Sequence, residues 1–226
     1  QGKVLVRHTI SSGISELSGY AIRVLPAPRE GSSRVYGSPG GQLWTVSRQG
    51  LSEFKGDRWV THPVPEIAAE FNTGLARVTD PVPLCPVKQD HVLLLLPERL
   101  LEFQAEGMPE PGTRVLRAVT DTRLERFSGM RPARDGGLWI TGAGGLAKVP
   151  GPLRNLKADT PWQEYVPPAQ LQIHNLQEAR EDEKGGVTMV GETGTNHQKL
   201  LVYFDGRAWT PEGAGTEKLR PAGGLV

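Results

Sequence analysis

Leu138-Trp139-Ile140-Thr141, followed after three intervening residues by Gly145-Leu146-Ala147-Lys148-Val149, is the clearest of four related segments in the chain. The same shape stands earlier as Leu43-Trp44-Thr45-Val46 with Gly50-Leu51-Ser52-Glu53-Phe54. It recurs more loosely as Val92-Leu93-Leu94-Leu95 with Leu100-Leu101-Glu102-Phe103, and as Val187-Thr188-Met189-Val190 with Leu200-Leu201-Val202-Tyr203-Phe204. In the first three segments along the chain, eleven positions separate the first apolar residue from the last, and the copies start 49, 46 and 49 residues apart. Short apolar runs split by Gly-rich turns at this period describe a unit that is one small sheet, stable only when its faces are covered by its neighbours. The expected fold is all-β: a β-propeller of four-stranded antiparallel blades.

The third copy supplies the template. Pro132-Ala133-Arg134 reads as a short innermost strand, Asp135-Gly136-Gly137 as the turn after it, and Leu138 to Gly142 as a β-branched and aromatic second strand. Gly145 to Val149 returns antiparallel, and Trp162-Gln163-Glu164-Tyr165 serves as the outermost strand. The copies centre on 43–59, 92–108, 138–165 and 187–209. Phe54-Lys55-Gly56-Asp57-Arg58-Trp59 matches Phe204-Asp205-Gly206-Arg207-Ala208-Trp209, and Asp205-Gly206 predicts a two-residue type I′ turn. Such a hairpin sets Phe beside Trp for packing between blades. Leu43, Trp44, Phe54, Trp59, Leu138, Trp139, Phe204 and Trp209 are therefore assigned to structure, with Trp59 and Trp209 expected mostly buried rather than stacked on sugar.

The ends read as complementary parts of one further blade, residues 1–10 resembling a third strand and 219–226 repeating the approach to a second. Two arrangements stay open: one domain over 1–226 of about five blades, closed by pairing Lys3 to Arg7 with Ala222 to Val226, or a segment of a larger propeller.

The 28 Gly and 19 Pro fall between the apolar runs, as turn chemistry requires. Lys plus Arg number 26 against 25 Asp plus Glu, a net charge of +1 with no block of like charges. That balance argues against nucleic acid or an anionic membrane surface as partner, since both need a concentrated basic footprint. No apolar run approaches the length of a membrane span. Cys85 is the single cysteine, which excludes an internal disulfide and a cysteine-based zinc site.

Motifs of nucleophilic, metalloprotease, phosphate-binding and calcium-binding chemistry are absent, so no catalytic residue, cofactor or metal is assigned. The five histidines are scattered without ligand spacing. Candidate binding residues come from position instead. The link between second and third strands opens on the same face as the link between blades, where propeller loops carry binding. Arg48 and Arg99 fall there at nearly equivalent positions in consecutive blades and suit a carboxylate or sulfate. The fourth copy carries an insertion, Glu192-Thr193-Gly194-Thr195-Asn196-His197-Gln198, whose Glu192, Asn196 and His197 complete the set.

Asp135-Gly136-Gly137-Leu138-Trp139-Ile140-Thr141-Gly142 with Gly144-Gly145-Leu146-Ala147-Lys148-Val149 resembles the two-component regulator propeller repeat. The match is good in the third copy, fair in the first, and weak in the second and fourth. The resemblance implies a sensor propeller outside the cytoplasm, periplasmic or extracellular, from a bacterial hybrid histidine kinase or related regulator, binding a small polar ligand such as an oligosaccharide. It carries over no catalytic or binding residue and no kinase activity. A protein-interaction scaffold and a propeller enzyme acting on glycans or uronates stand as the alternatives.

Overall fold

The computed structural model describes residues 4–7, 14–18, 21–26, 34–38, 40–72, 82–88, 90–105, 112–194 and 197–212. The chain divides between residues 81 and 82 into two compact units. The first holds a three-stranded sheet of β1 (Val4–Arg7), β2 (Ile14–Ser18) and β3 (Ala21–Leu25), then a four-stranded sheet of β4 (Val35–Gly37), β5 (Leu43–Ser47), β6 (Gly50–Lys55) and β7 (Arg58–Pro63), and a helix, α1 (Pro65–Asn72). The second unit holds three four-stranded sheets. These are β8 (Leu84–Lys88), β9 (His91–Leu96), β10 (Arg99–Gln104) and β11 (Gly112–Ala118); β12 (Phe127–Pro132), β13 (Leu138–Gly142), β14 (Leu146–Val149) and β15 (Gln163–Tyr165); and β16 (Ile173–Glu181), β17 (Val187–Thr193), β18 (Gln198–Phe204) and β19 (Trp209–Glu212). Every four-stranded sheet is an antiparallel meander in chain order, which is the construction of a propeller blade. The fold is all-β in this sense, with little helix.

Register explains the repeat. Leu43 lies opposite Phe54, Val92 opposite Phe103, Leu138 opposite Val149 and Val187 opposite Phe204, always between second and third strands. The recurrent eleven-residue gap is the separation of two facing residues across a tight hairpin. Alternation along the strand then sends neighbours to opposite faces. In the third blade Leu138, Ile140, Ala147 and Val149 join a core with Leu93, Leu95 and Leu100 of the second. Trp139 and Leu146 join another with Leu176, Met189, Val202 and Phe204 of the fourth. Both faces are covered, so the strands read as continuous apolar runs, and Val92 to Leu96 are buried without exception. In the first unit Leu25 and Leu43 are buried together, with Val35, Phe54 and Trp59 packed on them.

Several expectations are corrected. The innermost strand of the third blade is β12, ending at Pro132, because Ala133 and Gly137 close a hydrogen-bonded turn instead of extending it. The loop from Asp205 to Ala208 has four residues, not two. Only Gly206 takes a positive φ, of 97°, and the Asp205 carboxylate accepts the N–H groups of Arg207 and Ala208. Phe54–Trp59 and Phe204–Trp209 do pair, with ring centroids 5.2 and 4.7 Å apart, but both Trp rings are half-buried. Trp44 and Trp139 are the buried indoles. Helix α1 was not anticipated; it seats Ile67 in the interior. The pairing of Lys3 to Arg7 with Ala222 to Val226 lies outside the described residues.

Candidate functional site

One register position recurs with a polar side chain in every four-stranded sheet: Glu53, Glu102, Lys148 and Tyr203, each one residue before the end of the repeat. Each is satisfied internally. Glu53 accepts a hydrogen bond from Gln42 Nε2 at 2.5 Å and stands 3.2 Å from His62 Nε2. Glu102 receives Arg114 Nη2 at 2.5 Å and lies 2.8 Å from His91 Nε2. Lys148 Nζ donates to Asp135 at 2.9 Å above the Trp139 ring, and Tyr203 Oη donates to Asp182 at 3.0 Å. Burial, reinforced by Lys88 and Arg114, outweighs Glu102 and holds the His91 pKa below its ordinary value. Burial also pushes the Cys85 thiol up to about 11, which keeps it protonated and unreactive. These groups brace the blades internally.

The fourth blade differs. Its insertion is built as hairpin: after Gly191–Leu200, which matches the last rungs Ser47–Gly50 and Leu96–Arg99, Glu192 pairs with Lys199 and Thr193 with Gln198 beyond them. The lengthened β17 meets the start of β16, where His174 lies opposite Glu192. His197 Nδ1 approaches Glu192 Oε2 to 3.0 Å, Asn175 Nδ2 donates to the same oxygen at 2.8 Å, and His174 Nε2 stands 3.9 Å from it. The two imidazoles meet edge to face, their centroids 5.6 Å apart at 79°. Hydrogen bonds from Asn175 and then His197 hold the Glu192 carboxyl below its usual range, so it is an anion at neutral pH. Gln172, Asn175 and His197 all take left-handed φ of 50–52°, unusual for side chains other than Gly. Beside this cluster lies a cavity of about 290 Å³ lined by Pro167, Pro168, Ala169, Gln172, Ile173, His174 and Gly194. Asn175 N–H donates to Ala143 O, tying this corner to the second-to-third-strand link of the neighbouring blade.

Of the sequence candidates, Glu192 and His197 come together here, joined by His174, Asn175 and Gln172. Asn196 falls outside the described residues. Arg48 is exposed in the β5–β6 turn, whereas Arg99 is half-buried as the first ladder residue of β10. Ser47 pairs with Gly50 and Leu96 with Arg99, so Arg48 corresponds to Pro97, two positions away from Arg99. Neither arginine belongs to the cluster. His174 was missed because 23 residues separate it from His197; only the β16–β17 pairing joins them.

No protein-family model matches the chain, and no curated protein matches it. Among solved structures, it is similar to the extracellular domain of a protein described as a hybrid two component system of B. thetaiotaomicron. That likeness is 10% identical with a TM-score of 0.54, covering 88% of this chain and 26% of the other. A second, the extracellular domain of a one component system of the same organism, is 12% identical with a TM-score of 0.49, covering 84% and 24%. The chain thus spans about a quarter of the length of either structure. The likeness is one of fold. Among the described residues, no helix is long and apolar enough to cross a membrane.

Proposed function

We propose that this chain is part of the ligand-sensing propeller of a bacterial two-component-type regulator, acting outside the cytoplasm by binding rather than catalysis. The ligand is a small polar molecule such as an oligosaccharide, held at the lengthened hairpin of the fourth blade. The observation that carries this reading is the hairpin itself. There, added chain builds a polar cluster beside a cavity. At about 290 Å³ that cavity stands at the small end of ligand pockets, room for one sugar-sized unit. His174 and Gln172 supply polar groups and Pro167, Ala169 and Ile173 an apolar wall. The likeness in fold to an extracellular domain of a two-component system is consistent with the sensor role.

The scaffold reading is weaker. Ile22 and Val24 are exposed on one face of the outer strand β3, but two side chains fall short of a docking patch.

Calorimetric titration of the tag-free protein with a panel of oligosaccharides from plant and host polysaccharides tests the proposal. Saturable binding without turnover, lost in Ala169→Trp, is expected. Cleaved product, or binding indifferent to that substitution, would overturn it.

A further inference from the structure

Among the described residues, His174, Glu192 and His197 place one imidazole nitrogen each and a carboxylate oxygen within 4.8 Å of one another. We propose that they form a binding site for a divalent transition-metal ion of the zinc class, which takes up its ion whether or not an organic ligand occupies the neighbouring cavity.

Four observations carry the assignment. First, the donor set is right: two imidazoles and one carboxylate suit zinc, nickel, cobalt or iron, whereas magnesium and calcium take oxygen ligands. Second, the spacing is close to what an ion needs. Metal–ligand bonds of about 2.0–2.1 Å in tetrahedral geometry put ligand atoms roughly 3.3 Å apart. The distances from Glu192 Oε2 to His197 Nδ1 and His174 Nε2, 3.0 and 3.9 Å, bracket that value. Small side-chain rotations close the difference. Third, the outer partners that metal-binding residues require are in place. His174 Nδ1 lies 3.3 Å from the backbone oxygen of Gln172, which fixes the proton on Nδ1 and leaves the Nε2 lone pair facing Glu192. Asn175 Nδ2 holds the carboxylate from the other side. Fourth, two of the three residues sit on the sheet: His174 and Glu192 are directly paired across β16 and β17, and His197 is the turn residue just before β18.

The site keeps an open side. His197 is exposed, and His174 also lines the cavity, so an ion with three protein ligands retains a position for water or for a ligand oxygen. An ion held by His197 Nδ1 and Glu192 Oε2 replaces the present contact between those two atoms.

The test uses the full chain, free of any histidine tag and treated with chelator. Titration with Co²⁺ should raise visible d–d bands of a four- or five-coordinate ion at one equivalent, with no thiolate charge-transfer band. Zn²⁺ should displace it, while millimolar Mg²⁺ or Ca²⁺ should not. His174→Ala and His197→Ala should each abolish the bands, and Asn175→Ala should weaken Co²⁺ binding by about tenfold to a hundredfold. Far-UV circular dichroism in chelator should match wild type for all three, separating lost ligation from lost fold. Absence of the bands in wild-type protein, or bands that survive the His174→Ala, His197→Ala double variant, would overturn the site. Neither result depends on the oligosaccharide titration.

Discussion

His174 and Glu192 face each other across the β16–β17 ladder, and Glu192 reaches His197, the last residue of the turn into β18. The pairing exists because the fourth blade extends its middle hairpin past the point where the other blades turn back. Pro211→Ala, on the outer strand opposite Val202, leaves this geometry alone, whereas changes at Asn175 reach it directly. Asn175→Ala should leave the protein folded but free the Glu192 carboxylate from its strongest donor. Its pKa, read by carboxyl-carbon NMR titration, should rise toward the ordinary value; an unmoved titration would contradict the assigned contacts.

The buried and half-buried indoles should separate cleanly. Trp44 is fully buried, so Trp44→Ala should cost about 3–5 kcal/mol. Trp59 is half-buried and donates to Pro26 O at 2.8 Å, so Trp59→Ala should cost less, about 1–3 kcal/mol. Urea denaturation of the two variants checks the order.

Gly50 shows how tightly the blade edge is built. It has φ of 143°, and a Cβ there would stand 2.3 Å from the backbone oxygen of His62. Gly50→Ala should destabilise by well over 1 kcal/mol, since both backbone and space forbid the methyl. Gly56→Ala, with nothing within 4 Å, meets only the backbone penalty at φ of 69° and should cost less. Thermal denaturation of both proteins distinguishes them.

Acid sensitivity has a local source at His91. Its folded pKa lies below the ordinary 6.5, so between that value and the folded one the unfolded chain binds the extra proton. Stability from this group is complete above about pH 6.5 and falls as pH falls below it. The facing charges are Glu102, Lys88 and Arg114. His91→Gln should flatten the stability–pH curve just below pH 6.5; an unchanged slope would assign the effect elsewhere.

Much of this architecture is legible in the sequence, because a β-meander writes its register locally. Leu138 and Val149 are opposed partners, and so are Leu43 and Phe54, so a constant gap reports a constant hairpin. Helix α1 carried a signal of its own that the repeat obscured: Pro65 at the first position, Glu66 in the first turn, and Ile67 and Phe71 four apart. The cluster was only half legible. Glu192 and His197 lie in one conspicuous insertion, but His174 belongs to the innermost strand, and its pairing with Glu192 depends on bulges in β16 between His174 and Gln177 and again before Arg180. Irregular register of that kind leaves no periodic mark. Arg48 and Arg99 share the link between second and third strands, and the ladder sets them two positions apart.

The central claim is that the lengthened hairpin of the fourth blade is where this protein binds its ligand. Hydrogen–deuterium exchange, with and without the oligosaccharide that binds in calorimetry, tests it most directly. Protection confined to peptides covering 167–175 and 191–200 is the predicted result. Protection at 47–50 or 96–99, with none at the fourth blade, would contradict it and return the site to the arginine-bearing turns.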